Sequence, residues 1–128
     1  MPIDTNTQVT LDTALRSHKE WKVQLNEAVK VGAHLDDVTI GRDDCCELGK
    51  WLYSEGGRKY GHAPEFAKLL TAHSEFHHVT SIVARLINGK DRESFDSMLN
   101  RGSQFTAATT DVTVAIIQLQ AAVSRMTE

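Results

Sequence analysis

The sequence predicts an all-α fold, a four-helix bundle of three long helices and one short one, and three observations carry that prediction. Apolar residues recur three or four positions apart over most of the chain, the spacing of one face of an α-helix. Strand-like alternation of apolar and polar residues is absent. Glycine, proline and capping residues fall between the periodic stretches, where helices should begin and end.

The first helix is expected from Val9 to Val31, with Leu11, Leu15, His18, Trp21, Leu25 and Ala28 on its apolar stripe and Gly32 as its stop. Ala33 to Arg42 holds aspartates and glycine-flanked turns with little periodicity, and reads as a loop. Asp44-Cys-Cys-Glu47 has the form of a capping box with Asp44 as the cap. It opens a short helix carrying Leu48, Trp51 and Leu52 that stops near Ser54. Ser54 to His62 contains three glycines and reads as a connection. Pro64 then suits the first position of the next long helix. That helix should run to Asn88-Gly89, with Phe66, Leu69, Leu70, His73, Phe76, His77, Val83, Ala84 and Ile87 along one broad face. The last helix is expected from near Asp91 to the C-terminus. Its stripe of Phe95, Met98, Leu99, Phe105, Thr109, Val112, Ile116, Leu119, Val123 and Met126 has the spacing, about 3.5 residues, of coiled-coil-like bundles.

Composition narrows the function. At 128 residues the chain has the length of one domain around one core, spanning residues 1–128, and its 41% hydrophobic and 24% charged content is that of a soluble globular protein. A formal charge of −3, with Lys and Arg scattered among acids, offers no basic face for nucleic acid or anionic lipid. Neither a membrane-spanning run nor a signal peptide is visible, so the cytoplasm is the expected compartment. Cys45 and Cys46 are neighbours in sequence, where a disulfide would strain the intervening peptide, so no structural disulfide is expected.

The chemistry lies with four polar residues in apolar settings. His73 and His77 stand one turn apart on the apolar face of their helix, the spacing at which two imidazoles hold one metal. A lone HxxxH pair is more often a pair of hydrogen-bonded core or surface histidines. On the apolar stripe, however, both rings need partners. His18 sits between Leu15 and Trp21 where Leu or Ile would otherwise stand, and a single such histidine is usually a satisfied core residue. Cys46, in the first turn of the short helix, is placed where N–H groups and the helix dipole favour a thiolate, although a lone cysteine is commonly a small buried hydrophobe. Together they form a His₃Cys set that a tetrahedral zinc site could close. Four protein ligands leave no open position for water or substrate, which argues for structure or sensing over catalysis. Copper(I), cobalt and iron stay open by ligand softness alone, with zinc preferred. No Ser/His/Asp set, inward carboxylate pair, Glu-x-x-His pair or phosphate loop at Gly56-Gly57 competes with this reading.

In these motifs, His18-Lys-Glu-Trp21, then Cys46-Glu-Leu-Gly-Lys-Trp51, then His73-Ser-Glu-Phe-His77, the chain resembles the chemoreceptor zinc-binding family of bacteria. The resemblance runs from about Leu11 to Val123. It implies that His18, Cys46, His73 and His77 bind one zinc ion per chain. It also implies a sensory or regulatory role, not an enzymatic one, in which zinc availability or oxidation of the ligand thiolate modulates bacterial signalling through chemotaxis or cyclic di-GMP. The implied partners are a chemoreceptor signalling protein or a diguanylate cyclase, attached or separate, and a second copy in a homodimer. The alternative is an interaction module with a permanent structural zinc. With no signalling coiled coil or cyclase domain in the sequence, either a free-standing protein or an N-terminal fragment is expected, the former preferred.

Independently of the family, Leu48 and Trp51 should anchor the short helix by burial and Gly49 should permit a close approach, while Trp21 is expected to pack over the site. Carboxylates or carbonyls should orient the imidazoles, and Glu20, Glu75, Asp43 and Asp44 lie nearby in sequence. Cys45 points away from Cys46 on a helix and is expected to be a bystander. His34, His62 and His78 are expected at the surface.

Overall fold

In the computed structural model, which describes residues 5–100 and 102–126, seven helical segments and no strand form an all-α bundle. They are α1 (Thr5–Val31), α2 (Asp37–Ile40), α3 (Glu47–Leu52), α4 (Glu55–Tyr60), α5 (Pro64–Asn88), α6 (Arg92–Leu99) and α7 (Gln104–Met126). The three long helices are α1, α5 and α7. Helix α5 packs most extensively on α7, α1 lies against both, and α2 rests on α5. Their shared core holds Leu11, Leu25, Leu69, Phe76, Phe105 and Ile116, all closed to solvent. No helix among the described residues is long and apolar enough to cross a membrane.

Helix α1 starts at Thr5, ahead of the expected Val9, because the extra turn has tertiary partners: Thr7 is fully buried and Asn6 donates to Glu55 of α4 at 3.3 Å. It ends as its glycine predicts. Gly32 is left-handed at φ 67, and the N–H groups of Gly32 and Ala33 bond back to the carbonyls of Val29 and Ala28.

The expected loop from Ala33 to Arg42 contains α2, a single turn too short to show periodicity. Asp36 caps it, accepting from the N–H and hydroxyl of Thr39. Asn88 fixes its approach: the amide oxygen accepts from Leu35 N–H at 2.7 Å and the amide nitrogen donates to Leu35 C=O at 2.8 Å. Arg85 adds an ion pair with Asp37 at 3.4 Å. Asn88→Ala leaves two backbone groups of Leu35 unpaired, with an expected cost of about 1–2 kcal/mol. The urea midpoint reads this, and a midpoint equal to that of the wild type would show that the Asn88 clamp holds nothing.

The Asp44 capping box does not form. Asp44 is engaged with Arg42 at 3.1 Å, and the cap of α3 is Cys46, extended at φ −82 and ψ 165, its thiol accepting from Gly49 N–H at 3.4 Å. Nor is Ser54 to His62 only a connection, since α4 forms within it. A Cβ on Gly56 would stand 2.6 Å from the Trp51 ring, so the glycine there admits the indole against the α4 backbone, and burial of Trp51 and Tyr60 outweighs weak helix propensity.

Helix α5 runs from Pro64 to Asn88 as predicted. At its end Gly89 stays right-handed at φ −82, while Lys90 takes the left-handed position at φ 59. The expected continuous last helix is two, α6 and α7. Asn100 is extended, Gly102 is left-handed at φ 84, and the hydroxyl of Ser103 accepts from Thr106 N–H at 3.2 Å as the cap of α7. The apolar stripe passes across this break because both helices bury the same face in the same core.

Candidate metal centre

Three histidines of the core face one cysteine. His18 from α1, and His73 and His77 one turn apart on α5, are each at most 3% exposed. Cys46, at the cap of α3, brings its Sγ to 3.2 Å from His73 Nε2 and 3.5 Å from His77 Nε2. The two Nε2 atoms of His73 and His77 are 3.0 Å apart. One ligand-capable atom from each of His18, Cys46, His73 and His77 lies within 4.8 Å of all the others. Phe76, with no exposed surface, packs edge-on against both His18 and His77 and walls the cluster with carbon.

Backbone carbonyls set the ring orientations. His18 Nδ1 donates to Ala14 C=O at 2.7 Å, one turn back in α1, and His77 Nδ1 donates to Ile40 C=O at 2.8 Å at the end of α2. Each bond leaves the Nε2 lone pair facing the cluster. None of the four carboxylates expected nearby does this. Asp43 accepts from the Tyr53 hydroxyl at 2.6 Å, Asp44 pairs with Arg42, and Glu20 and Glu75 are exposed.

The cluster holds more acceptors than protons. His18 Nε2 is buried with no hydrogen-bond partner, and so is His73 Nδ1. Burial pushes His73 down to about 2, helped by the adjacent His77 and His18, and pushes His18 down to about 4 against its Ala14 bond. Burial also lowers His77. All three rings are therefore neutral near pH 7, the form that ligates metal. Burial raises the Cys46 thiol, against the N–H groups of Gly49 and Leu48 that favour its thiolate. A divalent cation among these atoms would reverse that balance. Zinc bonds of about 2.0–2.1 Å to nitrogen and 2.3 Å to sulfur in a tetrahedron place ligand atoms roughly 3.3–3.6 Å apart, near the 3.0–3.5 Å found among Cys46, His73 and His77, while the set with His18 lies within 4.8 Å. The donor set and its geometry fit zinc.

The neighbouring residues explain how Cys46 is held. A Cβ on Gly49 would fall on the carbonyl oxygen of Asp43 and 3.0 Å from Asp44 Cα, so the turn leading to Cys46 lies directly on the Gly49 backbone. Leu48 and Trp51 are 2% and 6% exposed and anchor α3, with the Trp51 ring beside Tyr60 and Phe66. Trp21 lies half-buried at the edge of the core. Cys45 stands outside the cluster, 3.6 Å from Asp44, and His34, His62 and His78 are exposed. Sequence reasoning did not find Ala14 and Ile40 because carbonyls act without regard to side chain. Only the fold reveals which of them reaches a ring.

The sequence model of the chemoreceptor zinc-binding domain matches residues 18–84, more than half of the chain, and its span begins at His18 and includes Cys46, His73 and His77. No curated protein and no solved structure matches the chain.

Proposed function

This chain belongs to the chemoreceptor zinc-binding domain family, a sensory and regulatory family, and on that premise we propose that it is a zinc-binding regulatory module with no catalytic activity. His18, Cys46, His73 and His77 hold one zinc ion. The observation that carries this reading is the burial of three imidazoles and a thiol around one point, with His18 Nε2 buried there without a hydrogen-bond partner.

Bound zinc supplies positive charge that satisfies the His18 Nε2 lone pair and stabilises the Cys46 thiolate. The chain's own residues convert occupancy into conformation. His77 is tied to α2 through Ile40, and Cys46 is tied to the Asp43–Asp44 turn through Gly49, so α2, packed on α5, and the turn before α3 both register the state of the cluster. Loss of zinc releases them. Oxidation of the Cys46 thiolate to a sulfenic acid, for instance by hypochlorous acid with release of chloride, removes the ligand charge and has the same consequence. The output passes in the cytoplasm to a chemoreceptor signalling protein or a diguanylate cyclase, attached or separate. The apolar side chains Val114 and Ile117, half-exposed on α7, offer a surface for a homodimer.

The test is removal of zinc from the loaded protein by a chelator and, separately, by hypochlorous acid, followed by circular dichroism and Trp fluorescence. A regulatory module keeps most of its helix content, changes its fluorescence and recovers when zinc is returned after chelation. Complete unfolding on chelation would overturn the sensing role in favour of a permanent structural zinc.

A further inference from the structure

The C-terminal ends of α1 and α5 and the start of α6 enclose a cavity of about 310 Å3 that shares no residue with the metal cluster. Its floor is apolar, formed by Ala28, Val29, Ile87 and Phe95, of which Phe95 is only 1% exposed. Its wall carries three basic side chains, His34, Lys90 and Arg92, on a molecule whose formal charge is −3. The one acid in the wall, Asp91, is committed as the cap of α6, accepting from Ser94 N–H at 3.1 Å. Arg92 lies over the Phe95 ring and pairs with Asp96 at 3.1 Å, and the Asn88 amide is spent on Leu35.

Lys90 is different. It makes no ion pair among the described residues, and its backbone holds the left-handed position at φ 59 that glycine fills at much lower cost. A glycine stands immediately before it, at Gly89, in a right-handed conformation any residue adopts. The left-handed turn closes the end of α5, with Lys90 N–H bonded to Ile87 C=O and Asp91 N–H to Leu86 C=O, and it leaves Lys90 lining an apolar cavity with no ion pair among the described residues.

We propose that this cavity is a second ligand site, which takes a small organic anion with a carboxylate on the Lys90 ammonium and an apolar body against Phe95 and Ile87. The cavity is at the small end of the ligand-site range, suited to an aryl or short alkyl carboxylate. A neutral molecule of the same shape gains only the apolar contact.

Phenylacetate and its neutral isostere phenylacetamide are the probes, titrated into the zinc-loaded full chain and followed by proton–nitrogen NMR. Phenylacetate is expected to give saturable shifts at the amides of Ala33, Lys90 and Phe95, at a concentration at least about ten-fold below that needed with phenylacetamide. Lys90→Gly, which suits the backbone conformation, should raise the melting temperature and abolish the preference for the anion, and Lys90→Gln should abolish the preference as well. Equal binding of acid and amide, undiminished phenylacetate binding in either variant, or no saturable shift by about 10 mM would overturn the proposal.

Discussion

Gly49→Ala is expected to destabilise the protein by about 3 kcal/mol and to lower its zinc affinity by at least about ten-fold. The added methyl coincides with the Asp43 carbonyl oxygen, and the obstacle is backbone, not the flexible end of a side chain. Either α3 moves off the Asp43–Asp44 turn or the turn moves off α3. Cys46 lies between them and is displaced in both cases. Leu48→Ala opens a cavity of comparable cost in the same helix but leaves the turn in place. Denaturant unfolding and a competitive zinc titration on both variants separate general loss of stability from misplacement of the thiol. Zinc affinity unchanged in Gly49→Ala would mean that the turn does not position Cys46.

Acid should unfold the metal-free chain well before the ordinary carboxylate range. His18 and His73 are held near 4 and 2 in the folded state, against 6.5 when exposed. Above pH 6.5 both are neutral in either state, and their stability is fully present. As pH falls below 6.5 the unfolded chain takes up protons that the folded chain refuses, so stability falls with pH. The loss from His18 ends near pH 4, where the folded ring also titrates, and that from His73 continues towards 2. At about 1.4 kcal/mol per pH unit, each ring costs about 2 kcal/mol by pH 5. The urea midpoint of apo-protein should therefore drop clearly between pH 7 and pH 5. Zinc-loaded protein should resist until protons displace the metal, and then lose stability steeply. A midpoint of the apo-protein that does not move over this interval would show that the rings are not buried in their neutral form.

The pattern of what was legible in the sequence has physical causes. Long helices declared themselves because each buries a stripe against one core, and periodicity records that burial; α5 starts at Pro64 and ends at Asn88 as predicted. Of the short elements α3 was legible from Leu48, Trp51 and Leu52, while α2 and α4 were not. Four residues of α2 and six of α4 cannot display a repeat, and what holds them is remote: Asn88 and Arg85 on α5 for α2, and the Trp51 and Phe66 rings near α4. The break between α6 and α7 was marked locally by Gly102-Ser103, a left-handed residue followed by a cap, but the stripe from Leu99 to Phe105 concealed it. Asp44 was a sound capping candidate by residue type. The turn's own ion pair with Arg42 removed it, and the role passed to the Cys46 thiol.

At the candidate site, polar residues on apolar stripes were the readable signal, because a helix face records which side chains must be satisfied inside. His18, His73 and His77 stood out on that ground, and the structure brings them together with Cys46. What orients them was not readable. Ala14 and Ile40 contribute carbonyls, which any residue possesses, and the choice of carbonyls over the nearby carboxylates depends on where α2 lies on α5.

One metal ion held by these four side chains is tested most directly by elemental analysis of purified protein, on wild type beside Cys46→Ala and His77→Ala. The predicted result is about one zinc per chain in the wild type, lost or sharply reduced in both variants. No zinc in protein prepared without chelator, or equal zinc in all three, would contradict it, and would leave three buried imidazoles and a thiol as core residues of a helical bundle.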